Sequence, residues 1–122
     1  MNDELIYSYT RKQAIEDGVL VDVSMTAKEA GIRYPVVLTR AVWESYVQVP
    51  DGVEAQDEPG RLWDILWMFR VATKRSKGGD RINFSLYVRN DNRLPRVVTL
   101  KAICSPGDDA EPVITIMLPD ED

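Results

Sequence analysis

Histidine is absent from the 122 residues, and cysteine occurs once. The first absence removes the side chain most often used as a general base and as a transition-metal ligand. Ser-His-Asp and Cys-His groupings are therefore excluded, and zinc sites of the usual type go with them. The lone Cys104 has no partner for an internal disulfide, and its place in the strand-like run Val97 to Cys104 reads as a buried thiol. Long apolar runs are also missing, since nothing approaches the roughly 20 consecutive apolar residues that cross a bilayer. The opening Met1-Asn2-Asp3-Glu4 lacks the basic, then apolar, order of an export signal. A cytoplasmic chain with no membrane partner is expected. Phosphate-cradling and dinucleotide-binding glycine patterns do not occur, so no cofactor is expected either.

Positive charge is the scarcer sign. With 15 Lys and Arg against 20 Asp and Glu, the net charge is −5, and long-range attraction to phosphate is disfavoured. Contact with nucleic acid would need a local basic patch. Hydrophobic residues at 44% and charged residues at 29% fit a folded domain rather than a disordered chain. The length suits a single domain over residues 1–122, with one core burying roughly two-thirds of the unfolded surface.

Thr10-Arg11-Lys12-Gln13 fits a capping box that opens a short helix, with Gly18 as its left-handed stop. Val19 to Val23 reads as a brief strand or a packed extended segment. Ser24 or Thr26, the latter with Glu29, can cap a second short helix that Gly31 ends. Pro35 interrupts Ile32 to Leu38, which marks an edge or connecting segment. Thr39 then caps a helix from about Arg40 to Gln48.

Residues 50–60 form an acidic loop of turn formers and carboxylates. After it, about Arg61 to Arg75, comes the strongest helical signal: Leu62, Ile65, Leu66 and Phe69 recur at i, i+3, i+4 and i+7. Trp63, Trp67 and Met68 widen the apolar face, which predicts a largely enclosed helix. Three strands follow, about Ile82 to Arg89, Val97 to Cys104 and Val113 to Leu118, and the tail at 119–122 is expected to be loose. The class predicted is α+β, with N-terminal helices and a long central helix packed on a C-terminal three-stranded antiparallel meander.

Three blocks in order carry a family resemblance: Tyr-Thr-Arg-Lys-Gln-Ala-Ile-Glu-Asp-Gly-Val-Leu-Val-Asp-Val at 9–23, Gly-Arg-Leu-Trp-Asp-Ile-Leu-Trp-Met at 60–68, and Gly-Asp-Asp-Ala-Glu-Pro-Val-Ile-Thr-Ile-Met-Leu-Pro-Asp-Glu-Asp at 107–122. Together they resemble a family of short proteins of unknown function found on bacterial plasmids, integrative elements and phages. The resemblance implies a bacterial cytoplasmic setting and an accessory role near mobile DNA. It implies no catalytic residues.

Two groups of side chains are candidates for binding. Asp108, Asp109 and Glu111 follow Pro106-Gly107 in a short turn; as oxygen donors they suit a hard cation, but the spacing matches no calcium loop and a solvated turn is the simpler account. On the long helix, Trp63, Trp67, Arg70 and Lys74 follow i, i+4, i+7 and i+11, with Arg75 and Lys77 beyond. Aromatic platforms beside cations hold bases in single-strand binders, while a Trp pair one turn apart is more often core or an interface anchor. The carboxylates of the loop, the turn and the tail also permit a decoy of nucleic-acid phosphates, against which ordinary solubility charge is the simpler account.

No enzyme activity is expected. The function expected is that of a non-catalytic accessory or inhibitor protein engaging an unidentified protein partner through Trp63, Trp67, Asp108, Asp109 and Glu111. The alternative is a nucleic-acid-associated factor using Arg70, Lys74, Arg75 and Lys77. An edge strand and the tryptophans also allow a homo-oligomer.

Overall fold

A computed structural model describes residues 9–121. The Thr10 side chain accepts the Gln13 amide and Gln13 accepts the Thr10 amide, so the expected capping box opens α1 (Arg11–Glu16). Gly18, at φ 76°, turns the chain into β1 (Leu20–Asp22). In α2 (Ser24–Glu29) the expected serine or threonine cap is not used: Val23 stands at the N-cap and makes no side-chain bond. Ser24 lies inside the helix, where its hydroxyl donates to Asp22 (2.6 Å) and accepts the Val36 amide (3.0 Å). That bond ties α2 to the next strand, β2 (Val36–Thr39).

Thr39 caps α3 (Arg40–Val42), which widens into a π-helical turn over Trp43–Val47. Asp57 accepts the Gly60 amide (2.7 Å) and opens α4 (Glu58–Arg75). The helix thus takes Glu58, Pro59 and Gly60 from the predicted acidic loop. Proline is tolerated there because the first helical N–H groups need no partner within the helix. The remaining elements are β3 (Arg81–Val88), β4 (Arg96–Pro106) and β5 (Pro112–Met117).

The fold is α+β, but the sheet is not the predicted three-stranded antiparallel meander. Among the described residues it has five strands in the order β1-β2-β5-β4-β3, and it is mixed because β2 runs parallel to β5 while the other neighbours are antiparallel. The segment predicted at an edge lies inside the sheet. Pro35 does not prevent this, since it precedes the strand and contributes a carbonyl, which accepts the Ile114 amide at 2.9 Å. Val36, Val37 and Leu38 are fully buried, the uninterrupted apolar run of a strand covered on both faces.

On one face of the sheet, Val36, Leu38, Phe84, Leu86, Leu100, Ile114 and Ile116 join Leu62, Ile65, Leu66 and Phe69 of α4 in a single core. Each such side chain, fully buried, stabilises the fold by about 1.5–3 kcal/mol before the entropy of ordering it is subtracted. The tail is also held, against the expectation of a loose end. The Glu121 carboxylate accepts from Thr39 (2.7 Å) and from the Leu118 amide (2.8 Å), and Lys101 donates to the Pro119 and Glu121 carbonyls. Asp122 and the opening Met1-Asn2-Asp3-Glu4 lie outside the described residues.

Candidate functional site

The stripe Leu62, Ile65, Leu66, Phe69 forms the buried centre of the contact that α4 makes with the sheet core, with Met68 and Ala72 packed at its margin, and Trp63 and Trp67 lie about a quarter-turn or more away from its midline. The enclosed helix predicted from composition is therefore corrected: Trp63 is 37% exposed and Trp67 42%. Their rings stack on each other, with centroids 6.0 Å apart and planes 13° from parallel. Such a pair gains about 0.5–1.5 kcal/mol beyond the area it buries. The Arg70 guanidinium sits 5.3 Å from the Trp67 ring centroid and extends the stack by one more layer. Gly31, at φ 90°, passes close beside Arg70; a Cβ there would come within 2.6 Å of Nε. The loop after α2 thus holds the arginine toward the indole.

Beside Trp67 the surface opens into a hollow of about 440 Å³ lined by Asp64, Met68, Ser85, Leu86, Tyr87 and Val97. Tyr87 is 70% exposed and Val97 59%, and the two are paired across β3 and β4. Aromatic and aliphatic groups from a helix and a sheet edge are thereby gathered into one patch. Desolvation raises the Asp64 carboxyl above its ordinary range, as expected for an acid at the margin of apolar surface.

The cations divide. Arg70 and Lys74 line a second hollow, of about 510 Å³, between the end of α4 and the Gly31–Tyr34 loop, where Arg33 joins them over a floor that includes Phe69, Ile82 and Cys104. Cys104, predicted buried, is only half-buried because its strand ends at this hollow. Arg75 lies on the other flank of α4 with Arg81, and Lys77 follows the helix in the turn before β3. Two ion pairs occur among the described residues, Arg40–Glu44 and Arg96–Asp91, and neither involves these cations.

Two of the turn carboxylates, Asp108 and Glu111, are occupied with structure. Asp108 accepts the amides of Arg11 (2.8 Å) and Lys12 (3.0 Å), so the β4–β5 turn caps α1 across the whole length of the chain. Glu111 accepts the Asp109 amide (3.0 Å). Among the described residues no group of three or more histidine, cysteine, aspartate or glutamate side chains converges as metal ligands would.

The two backbone bonds hold the Asp108 carboxyl below its ordinary range. A depressed carboxyl contributes stability above its unfolded pKa of about 3.9 and loses it as pH falls through the folded value. Asp108→Asn should therefore lower the urea midpoint near pH 6, with the difference from the parent chain shrinking below about pH 4. Equal midpoints at pH 6 would show that the turn does not hold α1.

Two contributors were not singled out from sequence. Arg33 is far from Arg70 along the chain and carried no local signal. Arg61 did carry one: it stands four residues before Ile65, on the flank of α4 nearest the buried stripe, where a cation needs partners. It is 6% exposed and donates to the carbonyls of Val47 (3.1 Å) and Arg89 (2.8 Å) and to the side chains of Gln56 (2.9 Å) and Asn90 (2.6 Å).

A family model, described as a family of unknown function (DUF6573), matches residues 1–122. No curated protein and no solved structure matches the chain.

Proposed function

The chain belongs to a family of unknown function, DUF6573, and on that premise we propose, from its own surface, that it is a non-catalytic binding protein whose Trp63–Trp67 patch docks a protein partner. The observation that carries this reading is the stacked, half-exposed tryptophan pair, of which Trp67 opens onto an apolar hollow. Large rigid aromatics gain most when a partner removes their remaining exposure, and such residues dominate binding energy at interfaces. The chemistry around them supports docking more than catalysis. The hollow beside Trp67 holds one carboxylate, Asp64, with no second acid or base facing it among its lining residues. The hollow at the end of α4 pairs Arg33, Arg70 and Lys74 with a single acid, Asp80.

The setting proposed is the cytoplasm of a bacterium carrying a mobile element, with the chain as an accessory or inhibitor protein. That part rests on the resemblance of the blocks at 9–23, 60–68 and 107–122. Asp109 remains available at the rim of the turn, while one oxygen of Glu111 is engaged by the Asp109 amide. Asp108 is less available still, because both its oxygens are engaged.

Affinity capture with the full chain as bait tests the reading. A specific protein should be retained by the parent chain and lost by the double variant Trp63→Ala, Trp67→Ala. Retention by both would refute the proposal.

A second reading has one observation in its favour, the convergence of Arg33, Arg70 and Lys74 on one hollow. A nucleic-acid site there would bind single strands in a strongly salt-dependent way. Against it, the two tryptophans are already stacked on each other and Arg70 already lies over Trp67. Titration with oligothymidylate at low salt should leave the tryptophan fluorescence unchanged. Quenching that disappears as salt rises would transfer the proposal to nucleic acid.

A further inference from the structure

The free edge of the sheet lies beside the tryptophan patch, and its backbone geometry says more about what docks there. Among the described residues β3 is one of the two outermost strands, with β4 on one side only. The Cys104 amide donates to the Asp80 carbonyl (2.8 Å), and the register pairs Ile82 with Ala102, Phe84 with Leu100 and Leu86 with Val98. In an antiparallel ladder every second residue exchanges both its bonds with the neighbour. Even-numbered residues of β3 therefore face β4, and the N–H and C=O groups of Arg81, Asn83, Ser85 and Tyr87 point away from it.

The space beside those groups is a groove. One hollow of about 520 Å³ is lined by the successive residues Arg81 to Ser85 together with Met68, Val71, Ala72 and Arg75 of α4. Successive strand residues share one space only along an edge, because on a face only alternate residues meet. The hollow beside Trp67 continues it, sharing Met68 and Ser85. The groove thus has a backbone wall on one side, β3, and a helix wall on the other. Its helix wall is apolar at Met68, Val71 and Ala72. Arg75 and Arg81 stand at one end and Asp64 at the other.

We infer that this groove takes an extended peptide segment of a protein partner, which adds to β3 as a sixth strand of the sheet. The inference rests on the proposed partner-binding function and specifies how the partner is held. The segment pairs its backbone with Arg81, Asn83, Ser85 and Tyr87. It turns alternate apolar side chains toward Met68, Val71 and Ala72, and places a carboxylate against Arg75 and Arg81. Charge complementarity sets that orientation, since the two arginines at one end repel a basic residue and Asp64 at the other repels an acidic one.

Panning a displayed library of random dodecapeptides against the full chain tests the inference. The peptides selected should alternate apolar residues and carry an acid near one end. In amide exchange followed by NMR, the most strongly selected peptide should slow Arg81, Asn83, Ser85 and Tyr87 together, while Ile82, Phe84 and Leu86 are protected with or without it. Arg81→Glu should weaken that peptide by about fivefold, the worth of one exposed ion pair. A library that yields no binder, or a binder that leaves the four amides unchanged, overturns strand addition. So does protection of those amides by the protein alone at rising concentration, which would assign the edge to a second copy. The underlying reading is scored separately: partner capture lost in the tryptophan double variant, with the four amides untouched by peptide, would leave the docking patch standing without the groove.

Discussion

Replacing Arg61 with methionine is expected to lower the stability of the fold by about 3 kcal/mol, because four charge-assisted hydrogen bonds are lost, one to the buried Val47 carbonyl and three to part-buried acceptors. Methionine fills part of the space but donates nothing. The guanidinium joins four separate parts of the chain: the start of α4, the end of the π-helical turn at Val47, the loop at Gln56, and the end of β3 at Arg89 and Asn90. No carboxylate neutralises it among its bonded partners. Burial, followed by repulsion from Arg89, pushes its pKa below the ordinary arginine range. A guanidinium remains charged under such conditions, and its fork geometry is what allows one side chain to reach acceptors in several directions.

For a chain of this length the loss corresponds to a fall in Tm on the order of 10 °C. Urea titration of the parent, Arg61→Met and Arg61→Lys should rank them in that order with lysine in between, since an ammonium keeps the charge but cannot span the same acceptors. A methionine variant within about 0.5 kcal/mol of the parent, the range of an ordinary surface substitution, would mean that Arg61 is not the junction described.

The second large effect concerns binding. The double variant Trp63→Ala, Trp67→Ala is expected to weaken capture of the partner by at least about 30-fold, which is the roughly 2 kcal/mol threshold of an interface hot spot. Its effect on the fold should be about 3 kcal/mol, well short of the roughly 6–10 kcal/mol that two core tryptophans would cost, because both rings already keep more than a third of their surface in water. That separation between binding and stability is the discriminating result. If the tryptophans served mainly as core, the double variant would unfold at much lower urea and the binding loss would follow from unfolding. The stack itself can be checked independently. Two indoles with centroids 6.0 Å apart should give an exciton couplet in circular dichroism that either single replacement abolishes.

The family resemblance proved informative at one level only. A family model covers the chain from end to end, and it names no activity. What the protein binds has to be argued from its surface, where the tryptophan patch and the β3 edge lie side by side.

Local order was legible wherever neighbours in sequence decide it. The Thr10–Gln13 capping box, the stop at Gly18 and the apolar stripe from Leu62 to Phe69 all depend on residues within about two turns of one another, and all appear as read. The errors fall where partners are distant in the chain. Val36 to Leu38 could not be assigned to the sheet interior from Pro35 and its neighbours, because the strand that completes it, β5, is near the other end of the chain. The width of the apolar face on α4 was readable, but how much of it the sheet covers depends on where β3 lies relative to the helix. Asp108 reads locally as a turn residue and adds to the Thr10 cap of the first helix by accepting the Arg11 and Lys12 amides.

Composition and periodicity alone therefore determined the class, the long helix, and the absence of histidine-based chemistry, since these follow from residue type and short-range geometry. Tertiary packing decided the five-stranded order, the burial of Arg61 and the exposure of the tryptophan pair. Each of those depends on which distant segment covers a surface that several could have covered, and hydrophobic attraction, being non-directional, does not choose among them until the whole chain is placed.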